Sequence, residues 1–300
     1  MANPVDPYVL VPVTGDHELD PALDYAAAEA MRRGCGLHLV HVQHPGYSGP
    51  PEVAELRLID GELKKAAVDL LERSASHVEG LVDDTVTVST ELVHGVVVSA
   101  LVTASKQACL VVMQKHRTGP LARISALSVT SGVAARAHAP VVVVPASWQH
   151  PDQHPGPVVV GVEEAPSAQA VVRAALDAAR RTGSALRLVQ CWWISQAYDD
   201  IVFADHSGAE HSARLRKHLE ADFAPLVAEY AGVEAEYVAA HAPPADALVK
   251  ESHHASLVVV GRHHPSTPLG SHLGPIARTV LRESTCPVLV VEPRTAEAGT

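Results

Sequence analysis

The chain has 300 residues, 47% of them hydrophobic and 19% charged, which supplies packed cores and excludes a disordered chain. At roughly 100–200 residues per domain, that length favours two cores. The formal charge of −11 gives no long-range attraction to nucleic acid or to an anionic membrane, so neither is expected as a partner.

Aromatic residues make up 4% of the chain, so the cores must be aliphatic. The 19 His add about +4 at pH 7 and about +17 at pH 5.5, so the net charge reverses in mild acid. The start, Met1 to Pro7, lacks a basic segment and an apolar segment and does not read as a secretory signal. The Val-rich runs are far too short to span a membrane. Four widely spaced cysteines, Cys35, Cys109, Cys191 and Cys286, point to free thiols and a reducing, cytoplasmic setting. Three of them sit beside apolar runs as small buried hydrophobes. Cys35 falls in the turn Arg33–Gly36, where exposure is expected.

In chain order, Val9–Val13 reads as a buried strand. Asp20 and Pro21 then open a helix with the apolar stripe Leu23, Ala27, Ala30 and Met31, which Gly34 stops. A second strand runs to Val42. A long helix follows, carrying Leu56, Leu63, Ala67, Leu70 and Leu71. A strand is expected near Val86–Val93, a helix near Val96–Ala108, and Val-rich strands at 110–113 and 141–144. The segment 146–156 is polar and Pro-rich and reads as a linker. The pattern then repeats. Val158–Val162 stands 149 positions after Val9–Val13, Ser167 is the expected cap of the next helix, and Val171, Ala174, Ala175 and Ala178 form its stripe. A long helix through Leu219, Phe223 and Leu226 leads to a strand near Glu234–Ala239 and a helix near Ala245–His253. Ala255–Val260 answers Ala108–Met113, and Cys286–Val291 answers Ala139–Val144, both at an offset of 147. Thr182–Cys191 likewise answers Arg33–Val42 at an offset of 149, and these four colinear matches mean one domain written twice, with expected boundaries at 1–146 and 157–294.

The Val-rich strands are apolar on both faces, as in parallel sheets buried between helix layers. Five strands with helical crossovers give a doubly wound α/β domain. Ligands in such sheets bind beyond the carboxyl ends of the strands, where the strand order reverses.

The last part of the chain carries a family pattern. Leu257-Val-Val-Val-Gly261 is followed by a loop and then by Leu273-Gly-Pro-Ile-Ala-Arg-Thr-Val-Leu-Arg-Glu-Ser-Thr-Cys-Pro-Val-Leu-Val-Val291. This resembles the universal stress protein family, in which a strand ends in Gly-x2-Gly, nine residues pass, Gly-Ser/Thr opens a helix, and a Cys-Pro-Val strand closes the domain. The resemblance covers both halves. It implies two Rossmann-like (adenine nucleotide alpha hydrolase-like) domains, each a five-stranded parallel sheet flanked by helices. In that family two domains pair through their last strands, so the chain is expected to form an internal pseudo-dimer and to associate with itself. The resemblance also implies a stress-response role without catalysis.

Many members of that family bind ATP, so ATP is the expected ligand. Glycines admit the phosphates, and N–H groups at a helix N-terminus cradle them. In the second half Gly261 and Gly274 take the outer glycine positions, thirteen residues apart. His264 stands at the second glycine, Pro275 at the Ser/Thr position with Ile276 after it, and Glu163 at the acidic position ending the first strand. In the first half Thr14 stands at the acidic position. Gln114, Arg117 and Leu127 replace the glycines, while Ser128 keeps the hydroxyl. The second half is therefore the expected site for ATP or another adenine nucleotide. The alternative is a nucleotide-free scaffold acting through protein–protein association.

No metal is expected. His253-His254 and His263-His264 are adjacent doublets, a poor chelate, and no metalloprotein module is present. Trp192-Trp193 follows a strand where a ligand cleft would open. No Walker loop, nucleophile elbow or paired-carboxylate arrangement supports a hydrolase or phosphotransferase.

Overall fold

A computed structural model describes residues 7–14, 21–43, 54–115, 129–149, 156–163, 165–193, 207–262 and 273–292. The chain divides into two compact units, Met1–His150 and Pro151–Thr300.

In the first unit, the elements run β1 (Tyr8–Pro12), α1 (Pro21–Arg33), β2 (Gly36–Gln43), α2 (Ala54–Glu79), β3 (Val88–His94), α3 (Val97–Ala104) and β4 (Ala108–Lys115). Helical residues 129–136, here α4, and β5 (Val141–Pro145) complete it. The strands lie in the order β3-β2-β1-β4-β5, and every neighbouring pair is parallel. Val9, Leu10 and Val11 on the central strand are fully buried, as are Leu110, Val111 and Val112 beside them. Each such aliphatic side chain contributes about 1.5–3 kcal/mol by leaving water, so the Val-rich runs set the sheet.

The second unit repeats this plan. Its elements are β6 (Val158–Val162), α5 (Ala165–Thr182), β7 (Leu186–Trp192), α6 (Ser207–Ala228), β8 (Ala235–His241), α7 (Pro244–Glu251), β9 (Leu257–Gly261), α8 (Pro275–Glu283) and β10 (Val288–Val291). The order is β8-β7-β6-β9-β10, again parallel throughout. In each unit the first strand is flanked by the second on one side and the fourth on the other. The order therefore reverses between β1 and β4, and between β6 and β9. A crevice opens at the carboxyl ends of two strands at such a point.

The first helix of each unit ends in the same way. Gly34 has φ +61° and Gly183 has φ +65°, a left-handed turn that residues with a Cβ adopt at a cost. The following amide then folds back onto the helix, Cys35 N–H onto the Ala30 carbonyl at 3.1 Å and Ser184 N–H onto the Ala179 carbonyl at 3.0 Å.

Several local expectations are corrected. α5 begins at Ala165, two residues before Ser167, so Ser167 is not its cap; Pro166 suits the first turn, where its missing N–H is not needed. α3 stops at Ala104 rather than running to Ala108, because a turn follows in which the Ser105 and Lys106 amides bond back to the Leu101 and Thr103 carbonyls. β3 starts at Val88, later than Val86. Met31 is 40% and Leu63 56% exposed, so neither belongs to its helix's buried stripe. In α2 that stripe runs Ala67, Leu71, Ser74 and Val78, and residues 61–66 are all exposed.

Cys35, expected near the surface, is buried at 6% exposure, and Cys109 is half-buried. Asp20 lies outside the described residues.

Candidate functional site

The reversal point of the second unit holds a cavity of about 490 Å³. Three pieces of chain converge on it. β6 delivers Gly161, Val162 and Glu163; β9 delivers Val260, Gly261 and Arg262; and the start of α8 delivers Gly274, Pro275, Ile276 and Ala277. Five of the residues singled out in the second half thus line one cavity: Glu163, Gly261, Gly274, Pro275 and Ile276. His264 lies outside the described residues.

Each is placed by its element. Glu163 follows the last residue of β6 and is exposed. Its backbone is held by the Gln190 side chain on β7, whose Nε2 donates to the Glu163 carbonyl at 2.9 Å. Gly274 is the N-cap of α8 with extended backbone (φ −63°, ψ 166°) and no capping side chain, and Pro275 is at the first helical position. The first helical bond runs from the Arg278 amide to the Gly274 carbonyl at 3.1 Å. The amides of Ile276 and Ala277 precede it, so they have no partner within the helix. Pro275 has no N–H to offer. The helix start therefore presents two backbone donors and the positive end of its dipole, one N–H and one hydroxyl fewer than a Ser or Thr at 275 would allow.

Two features of this cavity were not expected from the sequence. Gly161 is a close-approach position. A Cβ built there would stand 2.9 Å from Cδ1 of Leu248 on α7, so the missing side chain lets α7 close over the strand. The second is Arg262, directly after Gly261. Its side chain is only 2% exposed, and its NH1 lies 3.8 Å from a Glu292 carboxylate oxygen. Burial pulls its pKa below the usual guanidinium range, and Glu292 works in the opposite direction. A signal existed for Arg262, since Lys115, another cation, stands at the matching position as the last residue of β4.

Aliphatic residues also line the cavity: Val162, Val171, Val189, Leu248, Val260 and Ile276. Cys191 is also in the wall, its thiol pushed up to about 11 chiefly by burial, so it stays protonated near neutral pH and is no nucleophile there. Such a chamber suits a ligand with a flat apolar portion and an anionic end. Its size falls within the roughly 300–1,000 Å³ of small-molecule sites.

The first unit treats the matching place differently. Gln114, at the position of Gly261, is buried, and its Oε1 accepts the Ala22 N–H at the start of α1 at 3.0 Å. An amide side chain thus occupies the place that glycine leaves open and caps the helix start. Thr14 is exposed at the end of β1. Arg117 and Ser128 lie outside the described residues, as does His263.

Trp192 packs against the rings of His211 and His241 and donates its Nε1–H to Ser212 at 2.9 Å; Trp193 is 52% exposed. Neither lines the cavity. No group of three or more His, Cys, Asp or Glu able to hold a metal occurs among the described residues. No helix among them is long and apolar enough to cross a membrane.

The model of the universal stress protein family matches residues 8–145 and again 156–292. A universal stress protein of Mycolicibacterium smegmatis is 29% identical over 95% of this chain and 97% of its own length. One of Mycobacterium tuberculosis is 30% identical over 94% of this chain and 96% of its own. Among solved structures, a universal stress protein of Archaeoglobus fulgidus aligns over 97% of both chains with a TM-score of 0.66 and 18% identity, a likeness of fold.

Proposed function

This chain belongs to the universal stress protein family, with two copies of the domain in tandem, and we propose that it acts by binding an adenine nucleotide in the second copy, without turnover. One observation carries the reading. Glu163, Gly261, Gly274, Pro275 and Ile276, chosen for their positions in the sequence, converge on a single cavity of about 490 Å³ at the strand reversal.

Its parts divide the ligand among them. The aliphatic wall takes the base. The Ile276 and Ala277 amides and the Arg262 guanidinium take the phosphates, with charge-assisted bonds of the strong kind. Glu163, exposed at the rim, accepts from ribose hydroxyls. Among the described residues of the lining, Cys191 is protonated near neutral pH and no nucleophile there, which supports a site that holds its ligand.

A nucleotide-free role is favoured for the first copy, because Gln114 fills the matching position. There the domain serves as scaffold.

The test is mass spectrometry of small molecules released from the natively purified chain, followed by calorimetric titration with ATP. Binding that Gly274→Val abolishes supports the reading. No binding at about 1 mM ATP, a binding energy weaker than about 4 kcal/mol, rejects it. Full retention by Gly274→Val would place the ligand elsewhere.

A further inference from the structure

Two cysteines far apart in the chain meet in the first unit. Cys35 Sγ and Cys109 Sγ are 3.5 Å apart, with 74 positions between them in sequence. Both flank the start of β1. Tyr8 pairs with Gly36, the residue after Cys35, on one side, and with Ala108, the residue before Cys109, on the other. The register of β1 against β4 shifts at this point, where Tyr8 faces Ala108 and Val9 faces Leu110. Cys109 is therefore the extra residue of an irregularity and not part of a regular ladder. Cys35 sits between Gly34 and Gly36. The sulfurs need about 1.5 Å of approach to reach the disulfide length of about 2.05 Å, beside glycines at one end and a register shift at the other.

The second copy supplies an internal comparison. The residue matching Cys35 is Ser184, and the residue matching Cys109 is Ser256. Both sulfurs are replaced together by oxygen. In that copy the Thr182 hydroxyl donates to Ser184 at 2.9 Å, and Ser256 donates to the Pro157 carbonyl at 3.4 Å. The place tolerates either atom, so packing alone does not require sulfur in the first copy. What the sulfur pair adds is its chemistry.

We infer that Cys35 and Cys109 form a redox-active dithiol, which closes to an intramolecular disulfide when the chain meets a hydroperoxide. Cys109 is the attacking sulfur and Cys35 the resolving one. Cys109 is half-buried and open to a small oxidant, whereas Cys35 is buried. The hydrogen bond from Cys35 lowers the Cys109 thiol from its usual 9.0 to about 7, with help from the Arg33 guanidinium and against burial and Glu29. The same contact and burial hold Cys35 up, so it keeps its proton. Arg33 is fixed for this by its 2.8 Å bond to Glu29.

The steps balance. Cys109 gives its proton to water, and its thiolate attacks one peroxide oxygen. An S–O bond forms, the O–O bond breaks, and hydroxide leaves to become water with that proton. Cys109 is now a sulfenic acid, oxidised by two electrons. The Cys35 sulfur then attacks the Cys109 sulfur. The S–S bond forms, the S–O bond breaks, and the departing hydroxide takes the Cys35 proton as a second water. Two thiols and one hydrogen peroxide give one disulfide and two waters, and a dithiol reductant reverses the change. This inference does not depend on nucleotide binding in the second copy.

The experiment treats the reduced full chain with a stoichiometric amount of hydrogen peroxide, then counts thiols and maps peptides without reduction. The four thiols of the chain should fall to two, with the peptides of Cys35 and Cys109 joined within one chain. C35S should accumulate a Cys109 sulfenic acid that dimedone traps, and C109S should consume peroxide roughly tenfold more slowly or worse. Serine at both places in the second copy argues that these variants fold, and the wild-type peptide map needs no variant. Retention of all four thiols would overturn the inference. So would a first link through Cys191 or Cys286, or between chains.

Discussion

The close approach at Gly161 can be tested without any ligand. In Gly161→Ala the new methyl would stand 2.9 Å from Cδ1, 3.4 Å from Cδ2 and 3.7 Å from Cγ of Leu248. Carbon atoms prefer about 3.5–4.0 Å, so the nearer methyl of Leu248 must give way. Overpacking of this kind costs about 1–3 kcal/mol. The lower end applies, because the clash is with a flexible side-chain tip that borders the cavity and has room to turn. Against this, Gly→Ala at a compatible backbone gains about 0.4–1 kcal/mol through the unfolded chain, so the single variant should lose no more than about 1 kcal/mol. The diagnostic quantity is the coupling. Leu248→Ala, which truncates a buried side chain, should cost about 2–3 kcal/mol. In the double variant the clash has no partner, and the added methyl enters the vacated space. The double should therefore be more stable than the sum of the singles by about 1 kcal/mol, beyond the roughly 0.3–0.5 kcal/mol scatter of independent sites. Urea unfolding of the four proteins measures this directly. Additive costs would refute the contact, and a loss above about 3 kcal/mol in Gly161→Ala alone would show that Leu248 cannot turn.

Three more outcomes follow from named contacts. Gln114→Ala removes the acceptor of the Ala22 amide and should cost about 1 kcal/mol, as loss of a helix cap does; hydrogen exchange at Ala22 should accelerate, and an unchanged rate would count against the cap. Arg262→Met should weaken ATP binding about tenfold or more while sparing adenosine, since only the phosphates lose a charged partner; equal losses for both would mean the cation acts elsewhere. His38 is buried, with Nδ1 2.9 Å from the Ser89 hydroxyl and Nε2 3.2 Å from Glu91. Burial lowers its pKa below 6.5, with Glu91 opposing, so the unfolded chain binds the proton first. Its share of stability is complete above pH 6.5 and falls as acid takes the pH toward the lowered value, by at most about 1.4 kcal/mol per pH unit. Urea midpoints from pH 8 to pH 5 should show a steeper acid loss in wild type than in His38→Gln; parallel curves would remove His38 as the cause.

The sheets were legible because their signal is local and redundant. A run such as Val9-Leu-Val or Val258-Val-Val is apolar on both faces and cannot be placed at an edge. The repeat also let one half check the other. Helix faces were less legible. Met31 and Leu63 continue an apolar stripe in sequence, but the stripe matters only where the helix lies over the sheet; residues 61–66 of α2 are exposed. Gly261 and Gly274 are visible as spacing, whereas Gly161 is not, and Arg262 is masked by its neighbour Gly261, on which the pattern depends. The Cys35–Cys109 contact left no local trace. It exists because the β1 register sets the residue after one cysteine and the residue before the other on either side of Tyr8, a consequence of strand order that spacing alone does not encode.

Two copies of one fold must each fill or leave open the reversal point of the sheet, and side chains at two strand positions decide which. In the second copy Gly261 leaves it open, and Gly161 makes room for Leu248 at its wall. At the same places the first copy has Pro12 and Gln114, and the Gln114 amide is committed to the start of α1. Opening the first copy would therefore forfeit a helix cap, so Gln114→Gly should cost stability without creating a nucleotide site, because Pro12 still fills the strand position that Gly161 vacates. At the opposite, amino ends of the strands the asymmetry runs the other way, with sulfur in the first copy and oxygen in the second. The cavity and the cysteine pair thus lie at opposite ends of the strands and in different copies. Oxidation of Cys35 and Cys109 should accordingly leave the ATP affinity of the second copy unchanged within about twofold, below the roughly 1 kcal/mol at which coupling between sites is ordinarily recognised. Titration of ATP into the peroxide-treated and the reduced chain measures this, and a larger shift would show that the two copies are energetically linked.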